Sequence, residues 1–213
     1  MKTDDLVTML ANGVAPVPRH AASRRMTWAV AVGLPLSLLI LFAEYGLRRD
    51  LVEVMFWPMF WFKLLFPACI AVAGFVMLQR LARPGVPVRN AWWAALLPAV
   101  GVWLLAIVAW LGAPADARMP MLMGQTWKTC ALSICLIGLP VFVAAIVALR
   151  SLAPTRPALA GAAAGALAGG IGGSVYALHC MELAAPFLAV WYVGGIVLAI
   201  AIGAVVGPRL LRW

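Results

Sequence analysis

Six long apolar stretches occupy most of this 213-residue chain and constrain its fold more than any other feature. Each stretch approaches the roughly 20 residues that an α-helix needs to cross the hydrocarbon core of a bilayer. They cover residues 26–42, 58–78, 91–111, 129–149, 158–178 and 186–206. We therefore predict an all-α integral membrane protein, a bundle of six transmembrane helices.

The composition agrees with this prediction. Hydrophobic residues make up 65% of the chain and charged residues only 11%, against about 25% charged residues in soluble domains. The net charge of +9 could indicate binding to nucleic acid. However, the basic residues stand singly or in pairs beside the apolar stretches and form no stripe. We expect contact with membrane lipid, and no direct contact with nucleic acid.

The basic residues are divided unequally between the two sides of the predicted bundle. Eleven lie on the side that contains both termini: Lys2, Arg19, Arg24, Arg25, Arg80, Arg83, Arg89, Arg150, Arg156, Arg209 and Arg212. The other side has Arg48, Arg49, Arg118 and Lys128, with Lys63 just inside the second stretch. Because Lys-rich and Arg-rich loops stay in the cytoplasm, we expect the N- and C-termini there.

The fifth and sixth stretches carry a pattern of small residues at every fourth position. The fifth has Gly161, Gly165, Gly169 and Gly173, and the sixth has Gly195, Ala199, Gly203 and Gly207. Small residues at this spacing let two helices approach closely within a membrane. The pattern predicts that these two helices pack against each other. A hinge or a substrate-lining helix is the alternative interpretation.

Lys63 is the one charged residue clearly inside a predicted span. It lies about one and a half turns from the outer end of its helix. At that depth a lysine can snorkel, so that its ammonium group reaches the surface. The alternative is a buried pairing with Glu53 or Glu182.

The first 25 residues form the only sizeable polar segment, and we treat residues 1–25 and 26–213 as tail and transmembrane domain. A short amphipathic helix is predicted over residues 1–11, with Thr3 as its cap and Asp4 and Asp5 near its N-terminus. Its apolar face carries Leu6, Met9 and Leu10. A Pro-containing linker, residues 15–18, follows. The acidic face suits a basic groove on a partner protein better than an anionic membrane surface.

The four cysteines, Cys69, Cys130, Cys135 and Cys180, have no spacing typical of a zinc site. Cys69 and Cys135 lie inside spans, where we expect them to be packing residues. Cys130 begins the fourth span and Cys180 ends the fifth, so we expect both at the outer surface. A set of residues that includes soft metal ligands surrounds this pair in the sequence: Met119, Met121, Met123, His179 and Glu182. We predict no metal site, because ordinary interfacial positions explain the Met and His residues better than metal binding does.

Several of these residues together resemble the NrsF-type membrane anti-sigma factors. The resemblance is carried by residues 3–6, the six spans, Lys63, Cys130, and the stretch 176–182 leading to residues 191–194. It implies a bacterial inner-membrane protein whose N-terminus holds an extracytoplasmic-function (ECF) sigma factor away from RNA polymerase. It also implies that Cys130 and Cys180 sense an envelope, oxidative or heavy-metal signal.

Carried over by position, Asp4, Asp5 and Leu6 belong to the sigma-binding segment. Met9 and Leu10 extend this segment along the helix face, and Lys63, His179 and Glu182 are candidates for supporting the sensor. We therefore expect a non-enzymatic regulator without a cofactor. Two alternatives from other classes are a small exporter of a thiophilic metal or drug and a quinone-coupled thiol oxidoreductase. The first lacks ionisable groups at the bilayer midplane, and the second lacks a CxxC motif.

Overall fold

The computed structural model describes residues 3–12, 20–83, 85–88, 90–152 and 154–212. These residues form helices and connecting turns, with no strand among them. A short helix precedes the first span: α1, Thr3–Asn12. The remaining elements are α2 (Ala21–Ile40), α3 (Leu51–Val54), α4 (Pro58–Leu81), α5 (Ala91–Gly112), α6 (Ala115–Met123), α7 (Trp127–Arg150), α8 (Pro157–Tyr176), α9 (Ala185–Phe187) and α10 (Val193–Leu210).

The prediction of six span-length helices is confirmed. Six helical stretches are long and apolar enough to cross a membrane: Ala21–Tyr45, Pro58–Leu81, Ala91–Gly112, Ala115–Arg150, Pro157–Tyr176 and Ala185–Leu210. Two of them contain a π-helical turn, Leu41–Tyr45 after α2 and Leu188–Tyr192 between α9 and α10.

The first span begins earlier than the sequence suggested. α2 starts at Ala21, whereas the apolar stretch starts at residue 26, because the intervening Ala and Arg residues have high helix propensity. Arg25 anchors this extension by donating a hydrogen bond to the carbonyl oxygen of Ser151 at 3.1 Å. The last residues of the expected tail are therefore part of the first long helix.

α8 lies at the centre of the bundle, in contact with α4, α7 and α10. Its small residues explain this position, because they let three neighbours approach its backbone. A Cβ atom added to Gly161 or Gly165 would overlap the carbonyl oxygen of Gly203 or Ala199 of α10. A Cβ atom on Gly170 would lie 2.5 Å from the backbone nitrogen of Ala71 in α4.

The expected pairing of the fifth and sixth spans is thus confirmed, with a difference in two positions. A Cβ atom on Gly195 would meet Ala131 of α7, and one on Gly173 would meet Pro67 of α4 most closely. Residues spaced by four drift slowly around an α-helix. One end of each series, Gly173 in α8 and Gly195 in α10, therefore faces a third helix.

The helix ends define two ends of the bundle. We call one the basic end; it contains Ala21, Leu81, Ala91, Arg150, Pro157 and Leu210. We call the other the cysteine end; it contains Tyr45, Pro58, Gly112, Trp127, Tyr176 and Ala185. One apolar cluster fills the basic end around Met26, Leu78 and Leu149. A second fills the cysteine end around Ile134, Tyr176 and Phe187.

α1 exposes both of its faces. Leu6 is 42% exposed, Met9 68% and Leu10 64%, and both aspartates are exposed. Thr3 is itself helical, so the sequence prediction that it caps the helix is wrong. The predicted start at Met1 and the linker 15–18 lie outside the described residues, as do Lys2, Arg19 and Arg89.

Candidate functional site

The connection between α8 and α9 crosses the cysteine end and carries most of the residues singled out there by the sequence. We call residues 177–184 the cysteine loop. α8 ends at Tyr176, whose carbonyl oxygen accepts hydrogen bonds from the backbone N–H groups of His179 and Cys180, both at 3.0 Å. Beyond this turn the loop leaves helical geometry, so its carbonyl groups are free to bind side chains from other helices.

Lys63 of α4 reaches inward to this loop. Its side chain is fully buried, with 0% exposure. Its ammonium nitrogen donates hydrogen bonds to the carbonyl oxygens of Cys180 at 2.6 Å and Glu182 at 2.7 Å. The same nitrogen lies 5.2 Å from the centre of the Tyr192 ring, within the range of a cation–π contact.

Two expectations about Lys63 are therefore corrected. The ammonium group does not snorkel to the surface, because Lys63 faces the interior of the bundle. It also does not pair with the carboxylate of Glu53 or Glu182, because it donates its hydrogen bonds to backbone carbonyl oxygens instead. Buried intramembrane cations commonly take such carbonyl partners.

Arg48, which follows the first span, also binds the cysteine loop. It is 6% exposed and forms a bidentate pair with Asp50, with both nitrogen–oxygen distances 2.8 Å. It also donates to the carbonyl oxygen of Cys180 at 3.2 Å, and its backbone N–H donates to the carbonyl of Leu178 at 3.1 Å. The hydrogen bond from Arg48 lowers the pKa of Asp50 below its ordinary value. The carbonyl of Cys180 therefore accepts from two cations that lie on different parts of the chain.

Cys130 and Cys180 are enclosed, with 0% and 1% exposure. The expectation that their thiols reach the outer surface is therefore wrong. The reason is that Cys130 faces inward near the start of α7, while Arg48 and Lys63 bind over the backbone of Cys180. Both cysteines are free thiols and belong to the same apolar cluster.

Thr126 links the two cysteines. Its carbonyl oxygen accepts the backbone N–H of Cys130 at 3.0 Å, and its hydroxyl oxygen lies 4.0 Å from the sulfur of Cys180. The structure therefore brings together the pair that the sequence selected, inside the protein.

His179 and Glu182 also bind backbone groups. His179 uses Nδ1 to donate to the carbonyl oxygen of Gly46 at 3.1 Å, and its ring lies against Tyr45 and Tyr176. The carboxylate of Glu182 accepts the backbone N–H of Gln125 at 2.7 Å. Within the described part of the chain, no three His, Cys, Asp or Glu residues are grouped closely enough to hold a metal ion.

Four residues at this end were not assigned to the site by the sequence analysis. They are Tyr45, Arg48, Asp50 and Ser133. Tyr45 donates to the hydroxyl of Ser133 at 3.0 Å, which joins the end of the first span to α7. The Arg-x-Asp spacing of Arg48 and Asp50 after the first span was the one available signal, and only the charge of Arg48 entered the prediction of orientation.

The other two cysteines do not belong to this cluster. Cys69 is exposed on the outer face of α4, so the expectation that it is a packing residue is wrong. Cys135 is half-buried, and its sulfur lies 3.6 Å from the carbonyl oxygen of Gly195, which fits a packing role.

The expected sigma-binding residues are in a different part of the molecule. Asp4, Asp5, Leu6, Met9 and Leu10 all lie on the exposed α1, ahead of the basic end. A buried polar cluster lies at one end of six helices that are long and apolar enough to cross a membrane, and an exposed acidic helix precedes the first of them. These features define the class of multi-helix proteins with span-length apolar helices.

Comparison with known proteins gives the family. The model of the NrsF family, described as "Negative regulator of sigma F", matches residues 10–213. The chain belongs to this family. It is 40% identical over 213 residues to a protein of Azospira oryzae named probable anti-sigma-F factor NrsF, and 35% identical over 214 residues to the anti-sigma-F factor NrsF of Caulobacter vibrioides. Both alignments cover 100% of each chain. No solved structure gives a significant match.

Proposed function

We propose that this protein is an anti-sigma factor of the bacterial inner membrane. Its tail, residues 1–25, binds an ECF sigma factor and holds it away from RNA polymerase, and an envelope, oxidative or heavy-metal signal releases it. The protein acts by binding, without catalysis. The observation that carries this proposal is the exposed acidic helix α1 on a chain that belongs to the NrsF family.

The exposure of α1 supports its role as the binding segment. Leu6, Met9 and Leu10 present an apolar stripe to solvent, and an isolated helix of this length is marginal in water. Docking into a groove of the sigma factor would bury the stripe and complete the folding of the helix. Asp4 and Asp5 would then face a basic surface, which favours association electrostatically.

The membrane placement follows from charge. The basic end holds the majority of the Lys and Arg residues, and the positive-inside rule assigns that end to the cytoplasm. The cysteine end then faces the periplasm, where disulfides are permitted. This places the sigma-binding tail and the proposed sensor in opposite compartments.

The proposed sensor is the Cys130–Cys180 pair. Disulfide formation would release two protons and pass two electrons to the oxidant, whereas capture of a divalent thiophilic metal would release two protons and transfer no electrons. Either event joins α7 to the cysteine loop, whose backbone is held by Lys63 and Arg48. The free energy available from the sensor limits how completely sigma can be released. A disulfide typically stabilises the state that contains it by about 2–4 kcal/mol. Moving the equilibrium between the sigma-bound and sigma-released states from 1:99 to 99:1 needs about 5.5 kcal/mol. The bound state is therefore only modestly favoured, or release is partial.

The exporter alternative has less support from the packing. The glycine positions that suggested a substrate path contact the backbones of α4, α7 and α10. These contacts favour helix packing over a path for cargo.

The first test reverses the charge of α1. Asp4→Lys together with Asp5→Lys should weaken co-purification of the sigma factor with the full-length protein by more than tenfold, because like charges would then face each other. Transcription of the sigma regulon should rise without stress. Asp116→Lys is the matched control, because Asp116 is an exposed aspartate beyond the other end of the bundle. Unchanged retention of sigma by the tail variant would contradict the proposal.

The second test removes both thiols. Cys130→Ser together with Cys180→Ser should retain sigma but abolish its release by a diffusible oxidant or a thiophilic metal, as read from regulon transcription. Cys69→Ser controls for the loss of a thiol, because Cys69 is exposed on the outer face of α4. A normal response in the double variant would exclude this pair as the sensor and leave the tail model intact.

A further inference from the structure

A deep groove runs along the outside of the bundle between α4 and α5. Its volume is about 900 Å³. The wall is apolar over most of its length and includes Leu65, Cys69, Val72, Val76, Leu97 and Pro98. Several of these side chains are exposed, among them Leu65 at 52% and Val72 at 64%, so the groove opens sideways toward the surroundings of the bundle.

The groove is longer than one leaflet of a bilayer. Leu65 and Arg80 bound it on α4, 15 residues apart, which is about 22 Å at 1.5 Å per residue. One leaflet contributes about 15 Å to the roughly 30 Å hydrocarbon core. The groove therefore reaches from the basic end to beyond the midplane of the span.

Among the residues that the structure describes, the polar side chains that line the groove lie at its basic end. They are Arg80 in the last turn of α4 and Asn90 directly before α5. Arg80 donates one hydrogen bond to the carbonyl oxygen of Val88 at 2.7 Å, which fixes the guanidinium beside the groove. A guanidinium has five N–H donors, so further donors remain for an anionic ligand.

We infer that this groove binds a phospholipid with an anionic headgroup. One acyl chain lies along the apolar wall past Val72 and Cys69, and the phosphate is bound by Arg80 and Asn90. Basic pockets between spans at the cytoplasmic side suit such headgroups. A helix from a second copy of the chain would fill the apolar wall but would leave Arg80 facing apolar surface without an anionic partner. The inference does not depend on the sigma factor.

Native mass spectrometry of the full-length protein tests this inference. The protein is purified in mild detergent and supplied with equal amounts of phosphatidylglycerol and phosphatidylethanolamine. The wild type should retain one phosphatidylglycerol in preference to phosphatidylethanolamine. Arg80→Gln should reduce this retention by about tenfold or more, the effect of one charge-assisted hydrogen bond, while Arg80→Lys retains most of it. Arg83→Gln is the matched control, because Arg83 is exposed just after the end of α4, three residues beyond Arg80.

A second variant tests the apolar wall. Cys69→Phe narrows the groove near its Leu65 end and should reduce retention of both lipids. Val147→Phe, at an exposed position of α7, should leave the retention of both lipids unchanged.

Equal losses of phosphatidylglycerol retention in Arg80→Gln and Arg83→Gln would overturn the inference in favour of a diffuse attraction to the basic loop. A change from dimer to monomer in Cys69→Phe, with lipid retention unchanged, would assign the groove to a second copy. Inorganic phosphate is then added to the protein with phosphatidylglycerol bound. If the phosphate displaces no lipid, the result supports the whole lipid as the ligand. If the phosphate displaces the lipid, the result refutes the contact between the acyl chain and the apolar wall.

Discussion

Lys63 shows how a single buried charge can organise a loop. Its two strong contacts are backbone carbonyls, and such acceptors leave no signature in a sequence because every residue has one. The sequence could therefore locate the charge within a span but could not identify its partners. The same limit applies to Cys180, whose backbone carbonyl is bound by Arg48 and Lys63 from distant segments of the chain.

Replacement of this lysine should loosen the cysteine loop more than it destabilises the whole protein. Lys63→Met removes two hydrogen bonds from a charged donor, each worth about 1.5–3 kcal/mol, but it also removes the cost of burying a charge. Local opening should therefore become easier while the unfolding temperature changes little. We expect Cys180 to react with N-ethylmaleimide about ten times faster or more, measured by mass spectrometry of the labelled peptide.

Lys128→Met provides the comparison for this experiment. Lys128 is exposed and contacts the ring of Trp127 at 5.6 Å, so its loss should leave the reactivity of Cys180 unchanged. Equal rates in Lys63→Met and the wild type would show that Lys63 does not hold the loop closed.

At the scale of elements, α8 is the helix whose sequence was most informative. Its glycine spacing predicted a close partner, and α10 is that partner. The spacing did not reveal the contacts with α4 and α7, because a helix rich in glycine and alanine offers small residues on every face. By contrast, nothing in the sequence of α4 distinguished the outward position of Cys69 from an inward one, since α4 is apolar on all sides.

The space around two glycines, one in α8 and one in α5, predicts opposite effects of their substitution on stability. Gly165→Val should destabilise the bundle by at least about 1–3 kcal/mol, because its Cβ atom would overlap the carbonyl oxygen of Ala199. Gly101→Ala should be neutral or stabilising by up to about 1 kcal/mol, because no atom lies within 4 Å of its added Cβ atom in α5. Thermal unfolding in detergent, followed by circular dichroism, measures both. A Gly165→Val variant as stable as the wild type would contradict the close approach of α8 and α10.

At the scale of the whole molecule, the number and order of the spans followed from hydropathy alone. The expectation that the cysteines are accessible failed, because a span end marks depth along the helix and does not tell which side of the helix faces the core. The burial of Cys130 and Cys180 also means that impermeant thiol reagents cannot report the orientation through these residues.

Introduced cysteines at exposed positions can test the orientation instead. In intact cells, an impermeant maleimide should label Asp116→Cys, which lies in α6 near the cysteine end. Asp5→Cys, on α1, should be labelled only after the membrane is broken. The cysteine-to-serine background at positions 130 and 180 removes the native pair, and protection of position 116 in intact cells would refute a periplasmic cysteine end.

The unbroken course of the first span has a mechanical consequence. Ala21–Tyr45 is a continuous helical stretch of 25 residues, about 37 Å long, and Arg48 follows it within three residues. A shift in the anchorage of Arg48 on the cysteine loop can therefore reach a long helix whose other end lies within the last residues of the tail. Pro35 and the π-helical turn Leu41–Tyr45 are the points at which this helix can bend and so absorb part of the movement.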